Sequence, residues 1–174
     1  SASGVLGYSL VDMMYSDKVI VVTDNLVPFP CMPFQIQGNY VDYVVVVDKI
    51  GIPEKIISGT TQLTKSPDRL LLAQWTAQFC AEAGLLRNGI GIQTGAGGTS
   101  LSVGLHFHEQ LKNNGWKARF GFGGSTQYMV KMLEDGVMDY ILDAQAFDLE
   151  AVRSVKDNKN HIDLSVYQSY NFHS

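Results

Sequence analysis

The sequence predicts an α/β domain in which a mainly parallel sheet is flanked by helices. Short runs rich in β-branched residues alternate with stretches of helical periodicity, and glycine-rich segments follow several of these runs. The chain has 174 residues, of which 45% are hydrophobic, so it can bury a core. Strands that alternate with helices of roughly 10–16 residues are typical of right-handed βαβ crossovers.

The N-terminal part predicts one helix and two buried strands. Apolar residues at helical spacing indicate a helix over residues 5–16, and a run of β-branched residues indicates a strand over 18–23. Prolines and a glycine favour an irregular connection over 24–39, before a second buried strand over 43–47. A further short strand is considered at 55–58.

The clearest helical signal begins at Ser66. This residue is expected to cap a helix, Pro67 suits the first turn because its missing N–H is not needed there, and Asp68 complements the positive end. We expect the helix to end at residues 88–89, an Asn-Gly pair.

Three strand–helix units follow in close succession. The strands are expected at residues 90–93, 117–122 and 138–142, and the helices at 99–113, 126–134 and 149–155. The polar and aromatic segment 157–174 gives no clear pattern.

The organisation predicted from these elements is a junction over residues 1–40, derived from a preceding domain or the edge of the same one, and an α/β domain over 41–174. The domain need not be complete at its C-terminal end. Because the sequence begins without methionine, we expect it to be a segment of a larger polypeptide.

Composition disfavours several classes of partner. The net charge is −4 and the 13 basic residues are scattered, which argues against nucleic acid. No apolar stretch approaches the roughly 20 residues of a membrane helix. Cys31 and Cys80 are expected to be buried thiols in a reducing, cytoplasmic compartment. No metal site is predicted, because His106 and His108 face apart at a spacing of two on a helix.

Two bulky apolar residues are expected to pack in the core and to take no part in the chemistry. Trp75 and Phe79 lie at helical spacing and are expected to belong to the core.

Ligands of parallel sheets bind where strands end and helices begin, and three segments of this chain fall there. They are residues 94–99, 121–126 and 143–148. Glycines in the first two allow backbone N–H groups to approach a ligand and permit positive φ, while the helix starts add unpaired donors. Such a site suits a phosphate, a carboxylate or the oxyanion of an attacked thioester. The alternative is that these glycines only make tight turns.

Neither glycine segment is a nucleotide motif. Ser100 stands where a dinucleotide fingerprint after Gly95 and Gly97 would need glycine, and no Gly-Lys-Ser/Thr follows either segment. Of the acidic residues, Asp143 and Asp148 lie nearest this edge, and Asp148 either contributes to the site or caps the last helix.

At these segments the chain resembles the citrate lyase alpha chain family, the citrate CoA-transferase component, over nearly its whole length. The motifs that carry the resemblance are residues 17–26 (DKVIVVTDNL), 58–61 (SGTT), 95–100 (GAGGTS), 123–126 (GGST) and 143–148 (DAQAFD).

The resemblance implies a CoA-transferase-like, Rossmann-like three-layer fold in a longer, two-domain chain. It also implies exchange of acetyl for citryl on an acyl-carrier thioester, so that citrate is later cleaved to oxaloacetate and acetate. The implied partners are citrate, an acyl-carrier gamma chain and a lyase beta chain in an oligomer. The thiol belongs to a dephospho-CoA-derived group of the carrier, and no cofactor is bound covalently to this chain.

For that chemistry the backbone N–H groups of Gly97 and Gly98 are the predicted oxyanion donors. The residues predicted to bind substrate or the CoA-type arm are Gly95, Ala96, Thr99, Gly123, Gly124, Ser125, Thr126, Gln145 and Asp148. Many CoA-transferases form an acyl-glutamyl intermediate, but no glutamate here stands at a strand end. The resemblance to the citrate lyase family instead implies that citrate attacks the thioester directly.

Three alternatives stay open at this point. The chain is also compatible with a CoA-transferase for another small carboxylic acid, with a sugar-phosphate isomerase of the same fold, or with a non-catalytic binding or assembly segment. The isomerase hypothesis is disfavoured because such an enzyme needs a charged lysine or acid beside a phosphate loop, and the glycine segments contain no lysine.

Overall fold

The computed structural model describes residues 7–31, 34, 36–52 and 61–164. Its helices are α1 (Ser9–Tyr15), α2 (Pro67–Glu82), α3 (Gly98–Asn113), α4 (Gln127–Glu134) and α5 (Leu149–Asp157). Its strands are β1 (Ile20–Thr23), β2 (Tyr43–Val46), β3 (Gly91–Ile92), β4 (Ala118–Ser125), β5 (Met138–Ala146) and β6 (His161–Asp163). A single 3-10 turn at Gly38–Tyr40 is described between β1 and β2.

Four of the strands form one parallel sheet in the order β3-β4-β5-β6, which confirms the predicted α/β class. Because successive strands are neighbours, right-handed crossovers place α3, α4 and α5 on the same face. Helix α4 packs against β4 and β5, and α5 packs against β5 and β6. The core on this side contains Leu86, Leu111, Met129, Val130, Met132, Met138, Ile141 and Ala151, among others.

The opposite face of this sheet is partly exposed. Phe120, Tyr140 and Ile162 lie on it with 37–41% of their surface accessible. Among the described residues the helices that connect the strands therefore form one layer over one face of the sheet.

Strands β1 and β2 form a separate two-stranded parallel sheet, in register from Ile20 opposite Tyr43 to Thr23 opposite Val46. The prediction that both strands are buried is wrong within the described chain, because their apolar side chains are largely exposed. A continuous apolar run predicts a strand, but the strand is buried only where other elements cover both faces of its sheet. The predicted boundary after residue 40 falls between these paired strands, and the division into domains stays a prediction.

Helix α2 begins at Pro67 as predicted, but its ends are made differently. Ser66 occupies the N-cap position without a side-chain capping bond, and the helix ends at Glu82. Gly84, with φ of +69°, takes the left-handed conformation that ends many helices, so residues 88–89 are not needed for it.

The apolar surface of α2 is divided between two sides. Ala73 and Ala77 are buried, and α2 packs against α3. Trp75 and Phe79 are 61% and 65% exposed, so their predicted place in the core is wrong for the described structure. A helix that is apolar all round is typical of a fully enclosed element, but here one side only is covered by the described residues.

Strands β4 and β5 are longer than predicted at their carboxyl ends, whereas β3 is shorter than predicted and ends at Ile92. β4 runs through residues 123–125 and β5 through 143–146, so two of the three predicted ligand turns are strand ends. β6 was not predicted. The possible strand at 55–58, the start of the first predicted helix and the segment 165–174 lie outside the described residues.

Two isoleucine-to-alanine substitutions, one on the buried face of the sheet and one on its exposed face, test this packing. Ile141→Ala, at a side chain with no exposed surface, is expected to lower the free energy of unfolding by about 2–5 kcal/mol because it leaves a cavity. Ile162→Ala, on the exposed face of the neighbouring strand, is expected to cost about 1 kcal/mol or less. Urea unfolding measures both, and equal costs would contradict the assignment of the two faces.

Candidate functional site

A cavity of about 240 Å³ opens at the carboxyl edge of the four-stranded sheet. It is lined by Gly7, Tyr8, Gln93, Thr94, Gly95, Ala96, Gly124, Ala144, Gln145 and Phe147. The lining therefore comes from the segment that follows β3, from the ends of β4 and β5 with the residue after β5, and from the start of the described chain. This is the edge at which parallel sheets bind ligands and at which the sequence analysis placed the three ligand segments.

Part of the predicted site lies on the described lining of this cavity and part does not. Gly95, Ala96, Gly124 and Gln145 are lining residues. The neighbouring predicted residues that are not on the described lining are Gly97, Gly98, Thr99, Gly123, Ser125, Thr126 and Asp148. The ligand roles of all these residues stay predictions.

Beside the cavity wall, α3 starts at the first glycine segment. Gly97 is the N-cap residue and Gly98 the first helical residue, two positions after Ala96. The first N–H groups of a helix have no intrahelical acceptor, and they carry the positive end of its dipole. The backbone at Gly98 and Thr99 therefore offers donors next to the cavity.

Close packing explains why residue 98 is glycine. A Cβ atom there would lie 2.7 Å from both Gln62 O and Thr64 N, and Thr64 N donates to Gly98 O at 3.3 Å. At Gly97 an added Cβ would meet nothing within 4 Å. Neither residue, nor Gly95, has positive φ, so this segment does not use the left-handed conformation that its glycines permit.

The second glycine segment combines an unusual conformation with close packing. Gly123 has φ of +94°, and the register between β4 and β5 shifts between Gly123 and Gly124. A side chain at Gly124 would overlap the ring of Phe147, which also lines the cavity. The ring thus lines the cavity beside the end of β4, where residues 123 and 124 carry no side chains.

Behind the wall, Asp143 joins the strands through its buried carboxylate. Its Oδ1 accepts hydrogen bonds from the backbone N–H of Ser125 at 3.1 Å and of Gln145 at 2.9 Å. Its Oδ2 accepts from the hydroxyl of Ser125 at 2.5 Å and lies 3.1 Å from Nε2 of His161. The hydroxyl of Ser125 is therefore engaged inside the protein.

Asp148 serves as the cap of α5. Its Oδ1 accepts from Ala151 N at 2.9 Å, and its Oδ2 accepts from Gln127 N at 2.8 Å, at the start of α4. This confirms the capping alternative for Asp148. Thr126, the N-cap residue of α4, is buried beside it.

The groups with shifted pKa values lie away from the cavity wall. Burial lowers the pKa of His108, a residue of α3. Its Nε2 atom lies 3.2 Å from Oδ2 of Asp135. Hydrogen bonds to Glu134 and Glu150 raise the pKa of Arg153. In the part of the chain that the structure describes, no three His, Cys, Asp or Glu side chains are grouped as metal ligands. No helix described is long and apolar enough to span a bilayer.

Several lining residues were not among the predicted site residues. Thr94, Ala144 and Phe147 lie within predicted ligand segments, and the signal that selected those segments would have included them. Gly7 and Tyr8 reach the cavity only through the tertiary fold, since nothing local in their sequence marks them.

The whole of this chain, residues 1–174, matches the family model described as "Citrate lyase, alpha subunit (CitF)". The chain belongs to the citrate lyase alpha subunit family. It is 39% identical over 168 residues to the citrate lyase alpha chain of Klebsiella pneumoniae, which covers 97% of this chain and 33% of the relative. It is 37% identical to that of Escherichia coli K12, over 98% of this chain and 34% of the relative. The chain thus spans about a third of these relatives.

Solved structures show the same fold. A Streptococcus mutans structure described as the alpha subunit of citrate lyase in complex with citrate has a TM-score of 0.82 and 42% identity. That match covers 93% of this chain and 32% of the other. The malonate decarboxylase alpha subunit of Acinetobacter baumannii, 18% identical with a TM-score of 0.60, covers 87% of this chain and 28% of its own and shares the fold.

Two adjacent glycines give a test of the packing at the start of α3. Gly98→Ala is expected to lower the free energy of unfolding by about 1–3 kcal/mol, because its Cβ meets the backbone of residues 62–64. Gly97→Ala, in open space with φ of −72°, is expected to change it by less than about 1 kcal/mol. Thermal or urea unfolding of both variants gives the comparison, and a larger cost at Gly97 would show that the segment packs differently.

Proposed function

We propose that this chain supplies the thioester site of a citrate lyase alpha subunit and takes part in exchanging acetyl for citryl on an acyl carrier. The observation that carries the proposal is the cavity at the carboxyl edge of the sheet, beside the start of α3, in a member of this family. The relative from Streptococcus mutans, described in complex with citrate, supports citrate as the acid.

The exchange needs two acyl transfers. A citrate carboxylate oxygen attacks the carbonyl carbon of the acetyl thioester, and the carbonyl electron pair moves to oxygen. Collapse of this oxyanion breaks the C–S bond, releases the carrier thiolate and leaves an acetyl–citrate anhydride. The thiolate then attacks the citryl carbonyl carbon, a C–S bond forms, and acetate leaves as the anhydride C–O bond breaks.

The chain's contribution is to hold the negative charge that forms in each step. Backbone N–H groups at Gly97 and Gly98 are the proposed donors, and a preorganised donor of this kind is worth roughly 3–4 kcal/mol of transition-state stabilisation. Direct attack by citrate requires no side-chain nucleophile. The described cavity wall holds no carboxylate or thiol, and this mechanism gives no covalent role to the hydroxyl groups of Tyr8 and Thr94 on it.

Four residues of the described cavity wall bind the substrates in this proposal. Gly95, Ala96, Gly124 and Gln145 contact the acyl group or the dephospho-CoA-derived arm of the carrier. Gly123, Ser125, Thr126 and Asp148 support that wall from behind. The proposed partners are an acyl-carrier gamma chain and a lyase beta chain in a cytoplasmic oligomer.

Blocking the proposed oxyanion donors tests this function. In the complete alpha subunit, Gly97→Val is expected to lower the rate at which citrate displaces acetate from an acetyl thioester by at least about tenfold, roughly 1.4 kcal/mol, because the new side chain obstructs the donors. The rate is measured by acetate release with acetyl-CoA or the acetylated carrier.

Gly38→Val is the matched control, because an added Cβ there also meets nothing within 4 Å and φ is not positive. Both variants should unfold at temperatures close to that of the parent protein. An unchanged exchange rate in folded Gly97→Val would exclude these donors. Binding of neither citrate nor acetyl-CoA by the folded parent subunit would favour the non-catalytic assembly alternative.

A further inference from the structure

The contact between Asp143 and His161 lies in the interior, and neither residue is on the described cavity lining. Both side chains have no exposed surface, and Nε2 of His161 lies 3.1 Å from Oδ2 of Asp143. A carboxylate oxygen accepts hydrogen bonds, so Nε2 carries the proton in this contact. The other ring nitrogen, Nδ1, is buried with no hydrogen-bond partner among the described residues, so the contact with Asp143 is the one that orients the ring.

This contact connects three strands at the level of the cavity. His161 is the first residue of β6, Asp143 lies in β5, and Ser125 ends β4. His161 also lies opposite Ile141 in the parallel register, so the histidine reaches the carboxylate from a neighbouring strand.

The groups that Asp143 holds are parts of the cavity wall or adjacent to it. Gln145, whose N–H bonds Oδ1, is a lining residue, and Ser125 directly follows the lining residue Gly124. The register shift between Gly123 and Gly124 interrupts the regular ladder at this point. The carboxylate therefore fixes backbone that the strand ladder alone leaves less constrained.

We propose that His161 and Asp143 are positioning residues for acyl transfer. His161 donates to Asp143, and Asp143 holds the backbone of Ser125 and Gln145 so that the wall at Gly124 and Gln145 fits the thioester. The inference rests on the proposed function of the same cavity. Active-site geometry must be held to about 0.5 Å, and a displacement of about 1 Å can cost a hundredfold in rate.

The experiment compares His161→Leu with His161→Gln in the complete alpha subunit. Leucine removes the donor, whereas the glutamine amide reaches about as far as Nε2 and keeps an N–H. We expect His161→Leu to raise KM for acetyl-CoA about tenfold, and His161→Gln to restore most of the loss. A merely structural role would reduce the amount of folded enzyme, which lowers the apparent kcat and leaves KM unchanged.

His106→Leu is the matched control, because His106 lies on α3 beside Glu109 with a partly exposed side chain. Its KM should equal that of the parent. If His161→Leu does not fold, Ser125→Ala decides, since it removes one donor to Oδ2 and leaves the backbone bond to Oδ1. We expect it to raise KM about two- to fivefold.

An unchanged KM in folded His161→Leu, or in Ser125→Ala where His161→Leu does not fold, would overturn the inference while the parent subunit still transfers acetyl groups. A His161→Gln variant no better than His161→Leu would overturn it as well. A parent subunit that neither binds acetyl-CoA nor transfers its acetyl group would instead overturn the proposed function, so the two failures are distinguishable.

Discussion

The carboxyl edge of the sheet depends on one buried carboxylate, that of Asp143. An ionised side chain without exposed surface is costly unless it is fully hydrogen-bonded, and this one is surrounded by donors from Ser125, Gln145 and His161. Two of these donors are backbone N–H groups, so the position of the side chain and the path of the strands are coupled. Movement of the cavity wall would break one of these hydrogen bonds and leave the buried carboxylate less satisfied. The hydrogen bonds therefore resist such movement.

Close packing explains most of the glycines around this edge. Gly98 lies against the backbone of residues 62–64, and Gly124 lies against the ring of Phe147. At Gly121 an added Cβ would meet the sulfur atoms of Met129 and Met138. Only Gly123, among the glycines of the two predicted ligand segments, has positive φ. The missing side chains therefore let a loop approach the start of α3, an aromatic ring approach the end of β4 and two methionine side chains approach its middle.

The sequence predicted those features that depend on local pattern. The order of strands and helices, the start of α2 at Pro67 and the span of α3 follow from periodicity and turn chemistry. The strand around His161 has three residues and is fixed by distant hydrogen bonds, so no local pattern could reveal it. Trp75 and Phe79 are apolar at helical spacing, but their exposure depends on what packs against α2, which periodicity does not determine.

The absence of formal charge on the described cavity lining bears on the chemistry that it suits. A permanent cation on the wall would bind the carboxylates of citrate and acetate in their ground states as strongly as it binds a developing oxyanion. Such uniform binding tightens substrates without lowering the barrier from the bound state. Backbone donors at the start of α3 favour an oxygen whose charge appears during the reaction, provided that they are aimed at it. The uncharged wall therefore agrees with thioester exchange, in which the charge to be stabilised appears during the reaction.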